Sequence, residues 1–379
     1  MIDYEILKFI WWVLIGVLLA GFAVMDGQDM GVGTLLPFLG KNDAQRRCMI
    51  NSVAPHWDGN QVWLLTGGGA IFAAWPLVYA VAFSGFYWAM LIVLLALILR
   101  PVGFDFRSKL AQTRWRNSWD WALFVGSAVP PVIFGVAFGN LLLGVPFHFD
   151  ETMRPIYTGS FWALLTPFAL LCGLTSLAMI IVHGASWLVF KTEDLLQQRA
   201  AVIATVAAVI TAILFAIGGA WTYLGTDGYV ASLGLSPSGP ANPLSKTVDV
   251  YSGGWLTNFI RYPILFALPA LGILGEVGVF VLARRHCGLG AVIASGLSII
   301  AIVLTPLVAL FPFILPSSSH PNSSLTIWDC CSSQLTLEIM LFAVILILPF
   351  VLAYTAWAYK VMSGKVTESY IAQNDKHLY

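Results

Sequence analysis

The sequence predicts an all-α integral membrane protein. About nine transmembrane helices are expected, as two four-helix bundles plus one extra helix. Three observations carry this. Hydrophobic residues make up 59% of the 379 residues and charged residues only 10%, against about a quarter charged in a typical soluble protein. The apolar residues gather into runs of the roughly 20 residues that cross a bilayer. The charged residues fall mostly between those runs.

Eight runs are plain: Phe9 to Met25, Leu77 to Leu99, Trp121 to Leu143, Phe161 to Val182, Ala200 to Tyr223, Ile264 to Ala283, Leu289 to Phe313 and Ile339 to Tyr359. A ninth, Asn51 to Trp75, has the length, but its first third is polar and it contains Gly67-Gly68-Gly69. Hydropathy alone would miss it. Loop charge favours counting it. With nine spans and the N-terminus outside, the inner loops hold all of the 19 basic residues except Lys8, Arg154, Lys246 and Arg261, as the positive-inside bias requires. Dropping the span moves Lys41, Arg46 and Arg47 outside and Lys8 inside. The chain then reads as one membrane domain, 1–379, with spans at 7–28, 51–75, 77–100, 120–143, 161–183, 200–223, 263–283, 289–313 and 337–359.

The remaining features fit this frame. The start, Met1-Ile2-Asp3-Tyr4-Glu5, lacks a basic n-region, so no signal peptide is expected. The formal charge is zero, and no basic patch points to nucleic acid. Cys48, Cys172, Cys287, Cys330 and Cys331 show no metal-ligand spacing and read as packing or free thiols. Gly27, Gly31 and Gly33, then Gly67, Gly68 and Gly69, then Gly85 are expected to let helices approach closely. Trp11, Trp12, Trp75, Trp119, Trp121, Trp162 and Trp357 are expected at the interfaces, as aromatic belts. Leu224 to Tyr262 reads as a loop, and Ser hydroxyls with Asp329 are expected to cap the last helix near Ser332. The tail from Lys360 onward is expected to make few tertiary contacts.

One stretch is not built for lipid: His56-Trp57-Asp58-Gly59-Asn60-Gln61-Val62-Trp63. An intramembrane carboxylate is costly and marks a functional site by default. Under nine spans Asp26 and Asp29 end the first helix, Asp58 opens the second, Arg100 ends the third and Asp120 opens the fourth, all at similar depth. Arg100 is then the natural counter-charge to Asp58. A static ion pair that fixes packing is the plainer alternative. His56, Asn60 and Gln61 are the polar neighbours. Trp63 falls inside the membrane, as a lining residue or as ordinary core. Glu276 is a second buried carboxylate, either a proton site or a side chain reaching the interface.

Haem would need His, Met or Cys facing a cavity. Of His56, His148, His183, His286, His320 and His377, only His56 and His183 fall in or beside spans, and neither forms a facing pair. Haem ligation and metal binding on this chain are therefore not expected. Two classes fit the residues: a non-catalytic subunit of a redox complex that supplies a proton path, or a proton-coupled secondary transporter. Transporters place broken helices at the midplane, whereas here the polar stretch lies near one end.

The ordered motifs FIWWVLIGVLL, DGQDMGVG, INSVAPHWDGNQVW, GGAIFAAWP, AFSGFYWAM, RPVGFDFRSK, WRNSWDW, GVAFGNLLLGVPF, FPFILPSSS, SLTIWDCCSSQLTL and the HLY end resemble subunit II of the cytochrome bd-type quinol oxidases over the whole chain. Gln28 departs from the family's DGFDMG. Glu276 has no family role to inherit. The resemblance implies a complex that oxidises quinol and reduces oxygen to water in an electrogenic, non-pumping reaction. It implies a pseudosymmetric heterodimer with subunit I, one or more very small membrane subunits, and surrounding lipid. It implies haem b and haem d on subunit I, and a structural quinone as a possible occupant of this chain. Residues matching Asp29, Asp58 and Arg100, with Asp26 beside them, imply a cytoplasmic proton route. The residue matching Trp63 implies an oxygen route. The expected location is the bacterial cytoplasmic (inner) membrane, multi-pass, with the N-terminus periplasmic and the C-terminus cytoplasmic.

Overall fold

The computed structural model describes residues 2–374 and 378. Lys376, His377 and Tyr379, used in the sequence reading, lie outside the described residues. The helices are α1 (Tyr4–Leu39), α2 (Asp43–Val53), α3 (Trp57–Ala74), α4 (Pro76–Gly85), α5 (Tyr87–Arg107), α6 (Thr113–Leu143), α7 (Pro167–Lys191), α8 (Asp194–Gly225), α9 (Thr257–Arg261), α10 (Ala267–Arg284), α11 (Gly288–Leu310), α12 (Gln334–Val361) and α13 (Glu368–Gln373). Among the described residues, eight helical segments are long and apolar enough to cross a membrane, and the chain folds as an all-α membrane protein. The polar stretch expected as an extra span forms α3, whose composition keeps it out of those eight.

Helix starts are set by local chemistry. Asn42 caps α2 by accepting from Gln45 N–H at 2.7 Å. Thr166 caps α7 with Pro167 at its first position. Ser333 caps α12 by accepting from Thr336 N–H. Asp329 was expected there but instead accepts from Thr326 N–H at 2.8 Å and pairs with Lys246 at 2.8 Å.

Three antiparallel pairs decorate the face that carries the N-terminus, called the amino-terminal face below. They are β1 (Phe147–Phe149) with β2 (Pro155–Tyr157), β3 (Asp227–Leu233) with β4 (Thr247–Ser252), and β5 (Phe313–Leu315) with β6 (Leu325–Thr326). The stretch expected as a loop from Leu224 to Tyr262 thus contains a bulged hairpin, with Asp227 opposite Ser252. Lys8 is not in a loop. It is buried in α1 and its Nζ donates to Pro237 O, Gly239 O and Trp328 O at 2.7–3.0 Å.

The first group of helices is α1, α3, α5 and α6, and the second is α7, α8, α10 and α11. They join along α7, which packs on both α1 and α6. Gly31 of α1 lies on Gly184 of α7, and an added Cβ would meet Ile180 O. Gly67, Gly68 and Gly69 behave differently from expectation: a Cβ there would meet nothing within 4 Å. Gly69 lies on an open face of α3, whereas Gly68 is partly buried and Gly67 is buried, so the three do not share one face. Trp11 and Trp75 are likewise not belt residues. Both are buried, and Trp11 Nε1 donates to Leu337 O at 3.1 Å.

Two span positions are corrected. α1 does not end at Asp26 and Asp29 but runs ten residues past Asp29 to Leu39. The third span does not start at residue 77. α4 begins beside Ser332, whose N–H donates to Ala74 O at 2.9 Å, and ends with Gly85 against the Tyr157 ring. Both neighbours belong to the amino-terminal face, so α4 stays on that face. α5 alone, at 21 residues and about 31 Å, is long and apolar enough to cross a membrane. The tail is not free either: Lys191 Nζ donates to Met362 O at 2.9 Å and Gly364 O at 3.2 Å.

Candidate functional site

α1 brings two carboxylates inward one turn apart, and each meets a different helix. Asp26 is held by Arg100 of α5 through two bonds, Nη1 to Oδ2 at 2.8 Å and Nη2 to Oδ1 at 2.6 Å. Both side chains are fully buried. This bidentate geometry is the strongest a guanidinium offers a carboxylate. Gly126 of α6 leaves room for it, since a Cβ there would lie 3.1 Å from Arg100 Cγ.

Asp29, one turn on, has no cation of its own. Its Oδ2 accepts from Asn60 Nδ2 at 2.8 Å. Asn60 Oδ1 accepts from the Tyr359 hydroxyl at 3.0 Å, and that hydroxyl accepts from Gln28 Nε2 at 2.9 Å. Asp29 Oδ1 faces His56 Nδ1 at 4.0 Å, and neither atom has another partner among the described residues. The His56 ring stacks on Tyr359, centroids 4.4 Å apart at 6°, and meets the edge of Trp187 at 5.5 Å. Trp187 is fixed by donating to Ser52 O at 3.1 Å. Tyr359 is not legible in the sequence, because one tyrosine near the end of a long apolar helix carries no signal in the chain. Gln28, a departure from the resembling motif, joins the chain of bonds to Asp29.

Asp58 does not sit where the sequence reading placed it. It is exposed on α3 and has no hydrogen bond or ion pair among the described residues. The expected Asp58–Arg100 pair is absent because Arg100 points to α1 and Asp58 points out of the chain. Asp58, Val62, Leu65, Gly69 and Phe72 share this exposed face of α3, spaced three and four residues apart as one helix side requires. Gln61 is partly buried beside it. Trp63 is also partly buried, and its ring fills the space over Gly21, where a Cβ would be 2.6 Å away.

Asp120 also leaves the expected set. It accepts from Arg107 Nε at 2.6 Å and Arg46 Nη1 at 2.7 Å. Asp43 bridges Arg107 and Arg116 at 3.0 and 2.6 Å. Three helices, α2, α5 and α6, thus form a separate ion network at the face opposite the N-terminus.

His183 is not free to ligate a haem. His183 has both ring nitrogens engaged, Nδ1 with Ser295 Oγ at 2.7 Å and Nε2 with Val24 O at 3.0 Å. The His56 ring is covered by Tyr359 and Trp187. No group of three or more His, Cys, Asp or Glu able to hold a metal ion exists among the described residues.

The family model for cytochrome bd terminal oxidase subunit II matches residues 7–362. The chain is 54% identical to the cytochrome bd-I ubiquinol oxidase subunit 2 of Escherichia coli K12 over 379 residues, covering 100% of both. It is 52% identical to a probable cytochrome oxidase subunit 2 of Haemophilus influenzae, again over 100% of both. It is 32% identical to the cytochrome bd ubiquinol oxidase subunit 2 of Bacillus subtilis, over 94% of this chain and 96% of that one. A solved bd oxidase from Geobacillus thermodenitrificans shares the fold, with TM-score 0.60 at 12% identity over 95% of this chain and 99% of that one. With its family model matched along nearly all its length, the chain belongs to the cytochrome bd terminal oxidase subunit II family.

Proposed function

We propose that this chain is the haem-free half of a quinol oxidase, and that it delivers protons toward the site of oxygen reduction on subunit I through Asp29 and His56. Family membership makes it subunit II of a cytochrome bd-type terminal oxidase, an oxidoreductase that passes electrons from quinol to oxygen in a bacterial membrane. A transporter reading is not favoured. The single observation that carries the proton assignment is the buried Asp29–His56 gap of 4.0 Å, with both facing atoms free of other partners.

The residues divide by chemistry. Carboxylate and imidazole can each take up and release a proton. Amides do not, so Asn60 and Gln28 position Asp29 and do not relay. Tyr359 fixes Asn60 and stacks His56. Asp26 and Arg100 are fully committed to one another and act as a fixed ion pair. Asp58, two residues before Asn60 but on the open side of α3 where Asn60 is buried, faces the partner and would give the route its access there. Trp63, half-buried over Gly21 on the same helix, lines an apolar path for oxygen. Haem b and haem d, when bound in the complex, would supply the electron transfer and oxygen chemistry, and we place them on subunit I because both ring nitrogens of His183 are engaged and the His56 ring is packed between Tyr359 and Trp187. Oxygen reduction then draws protons from the cytoplasmic side, and quinol releases them on the other, which separates charge without a pump. The orientation follows: amino-terminal face periplasmic, Arg-rich face cytoplasmic. One or more very small subunits, a structural quinone and lipid complete the assembly.

Haem placement is tested with reduced-minus-oxidised visible spectra of the complex purified in mild detergent and of this chain alone. The expected result is a red-region haem d band in the complex and no haem band from the chain. Haem bound to the isolated chain would return His56 to the role of ligand.

A further inference from the structure

Glu276 of α10 is buried and far from the Asp29 site in sequence, and its partners allow protons to be counted. Its Oε1 lies 2.8 Å from Ser298 Oγ on α11, and the same Oγ lies 2.8 Å from Gly272 O. Gly275 permits this contact, since a Cβ there would sit 2.7 Å from Ser298 Cβ. A carbonyl only accepts, and a serine has one proton. When that proton serves Gly272, the contact with Glu276 is a hydrogen bond only if Glu276 supplies its own. Glu276 has no ion pair among the described residues, and its Oε2 has no partner there. A charged carboxylate with one hydrogen bond is expensive in such a place.

One turn back on α11 the same pattern recurs. Ser295 Oγ lies 2.7 Å from His183 Nδ1 and 2.9 Å from Val292 O. Here too one hydroxyl stands between a titratable group and a backbone carbonyl. His183 Nε2 donates to Val24 O at 3.0 Å, two residues before Asp26. The elements packed around Glu276 bring no other ionisable group to its level. α11 has none, α8 has none between Arg199 and Tyr223, and α7 offers His183. Beyond His183, α1 contributes Asp26 and Asp29.

We propose that Glu276 and His183 form a second, buried proton-holding site, sharing one proton through the hydroxyls of Ser298 and Ser295. In one arrangement Glu276 is neutral and donates to Ser298, Ser298 donates to Gly272 O, and Ser295 donates to His183 Nδ1. In the other, the Oε1–H bond is broken and an Nδ1–H bond is formed. The carboxylate then accepts from Ser298, the imidazolium donates to Ser295, and Ser295 donates to Val292 O. Total charge and proton count are unchanged. The two serines are one turn apart, about 5–6 Å between Cβ atoms, and the proposed transfer requires one bridging water between their hydroxyls, which is returned unchanged. This site is independent of the Asp29 reading.

The test is infrared absorption of the purified two-subunit oxidase in light and heavy water, comparing wild type with E276Q, H183Q and S295A. The expected result has two parts. E276Q loses a protonated-carboxyl band that shifts in heavy water. H183Q and S295A, which confine the proton to Glu276, strengthen that band while the haem spectrum is unchanged. Loss of only carboxylate absorption in E276Q would overturn the proposal, because Glu276 would then be permanently ionised. An acid band of the same strength in H183Q and S295A would overturn it too, because no proton would then be shared. S295A keeps both titratable groups and removes only a hydroxyl, so a folding failure of H183Q still leaves the comparison decisive.

Discussion

Arg100 is the side chain whose loss should hurt most. It and Asp26 are fully buried and bonded twice. Removing one partner of such a pair costs about 3–5 kcal/mol because the other charge is left alone, whereas replacing both can be neutral. R100Q is therefore expected to lower the yield of assembled oxidase sharply, and D26N/R100Q to recover much of it, read as haem recovered per milligram of membrane protein. Equal yields from the single and the double variant would contradict the ion-pair assignment. Tyr359 makes a gentler case. Y359F removes the hydroxyl that fixes Asn60 but keeps the ring stacked on His56. Turnover should fall by a few-fold with haem content intact, a smaller loss than removing a proton-transfer group. At this scale the sequence was informative about chemistry and poor about pairing. Asp26, Asp29, Asn60 and Arg100 were visible as out-of-place polar residues. Which carboxylate takes Arg100 depends on the rotation of α1, α3 and α5 about their axes, and nothing local encodes that.

Helix packing divides the glycines into two kinds. Gly31 touches the backbone of α7, so G31A has to push two helices apart, an overpacking cost of about 1–3 kcal/mol. Gly69 meets nothing within 4 Å, so alanine there should leave this chain's fold intact and improve the helix by up to about 1 kcal/mol. If the open face of α3 carries the partner, G69A should reduce recovery of the complex while the chain alone still accumulates in the membrane. Equal sensitivity at both positions, with the chain alone lost in both, would contradict this division. Helix identities were legible from apolar runs, since length and hydropathy set them. The extension of α1 to Leu39 and the break at Phe86 were not. The α1 extension holds polar and small residues that hydropathy treats as loop, and α4 is as apolar as a span although it stays on one face.

The whole molecule presents a closed and an open side. α7 sits at the centre, whereas α12 buries only Leu337 and Leu341, and the Asp58–Phe72 face of α3 is uncovered. In a membrane an exposed carboxylate such as Asp58 calls for a protein neighbour, which fits a chain built to be half of a complex. Orientation can be read from thiols. Cys287 is exposed between α10 and α11, on the face proposed to be cytoplasmic. Burial pushes the Cys48 and Cys331 thiols up to about 12, so both stay protonated and unreactive at neutral pH. A membrane-impermeant maleimide should label Cys287 in inverted vesicles and not in intact spheroplasts, with Cys48 and Cys331 labelled only after denaturation. Labelling of Cys287 from the spheroplast exterior would reverse the orientation. The loop charges pointed to this topology. The three β-hairpin caps were missed because their strands are two to seven residues long and sit among Pro and Ser.

The account turns on Asp29, and the most direct measurement is quinol-driven oxygen consumption by purified D29N oxidase alongside its visible spectrum. The variant keeps the shape and the Asn60 contact but cannot carry a proton. The predicted result is an unchanged haem spectrum with turnover reduced about tenfold or more. Normal turnover with a normal spectrum would contradict the account, because protons would then reach oxygen without Asp29. Loss of haem and turnover together would also contradict it, making Asp29 a packing residue like Asp26.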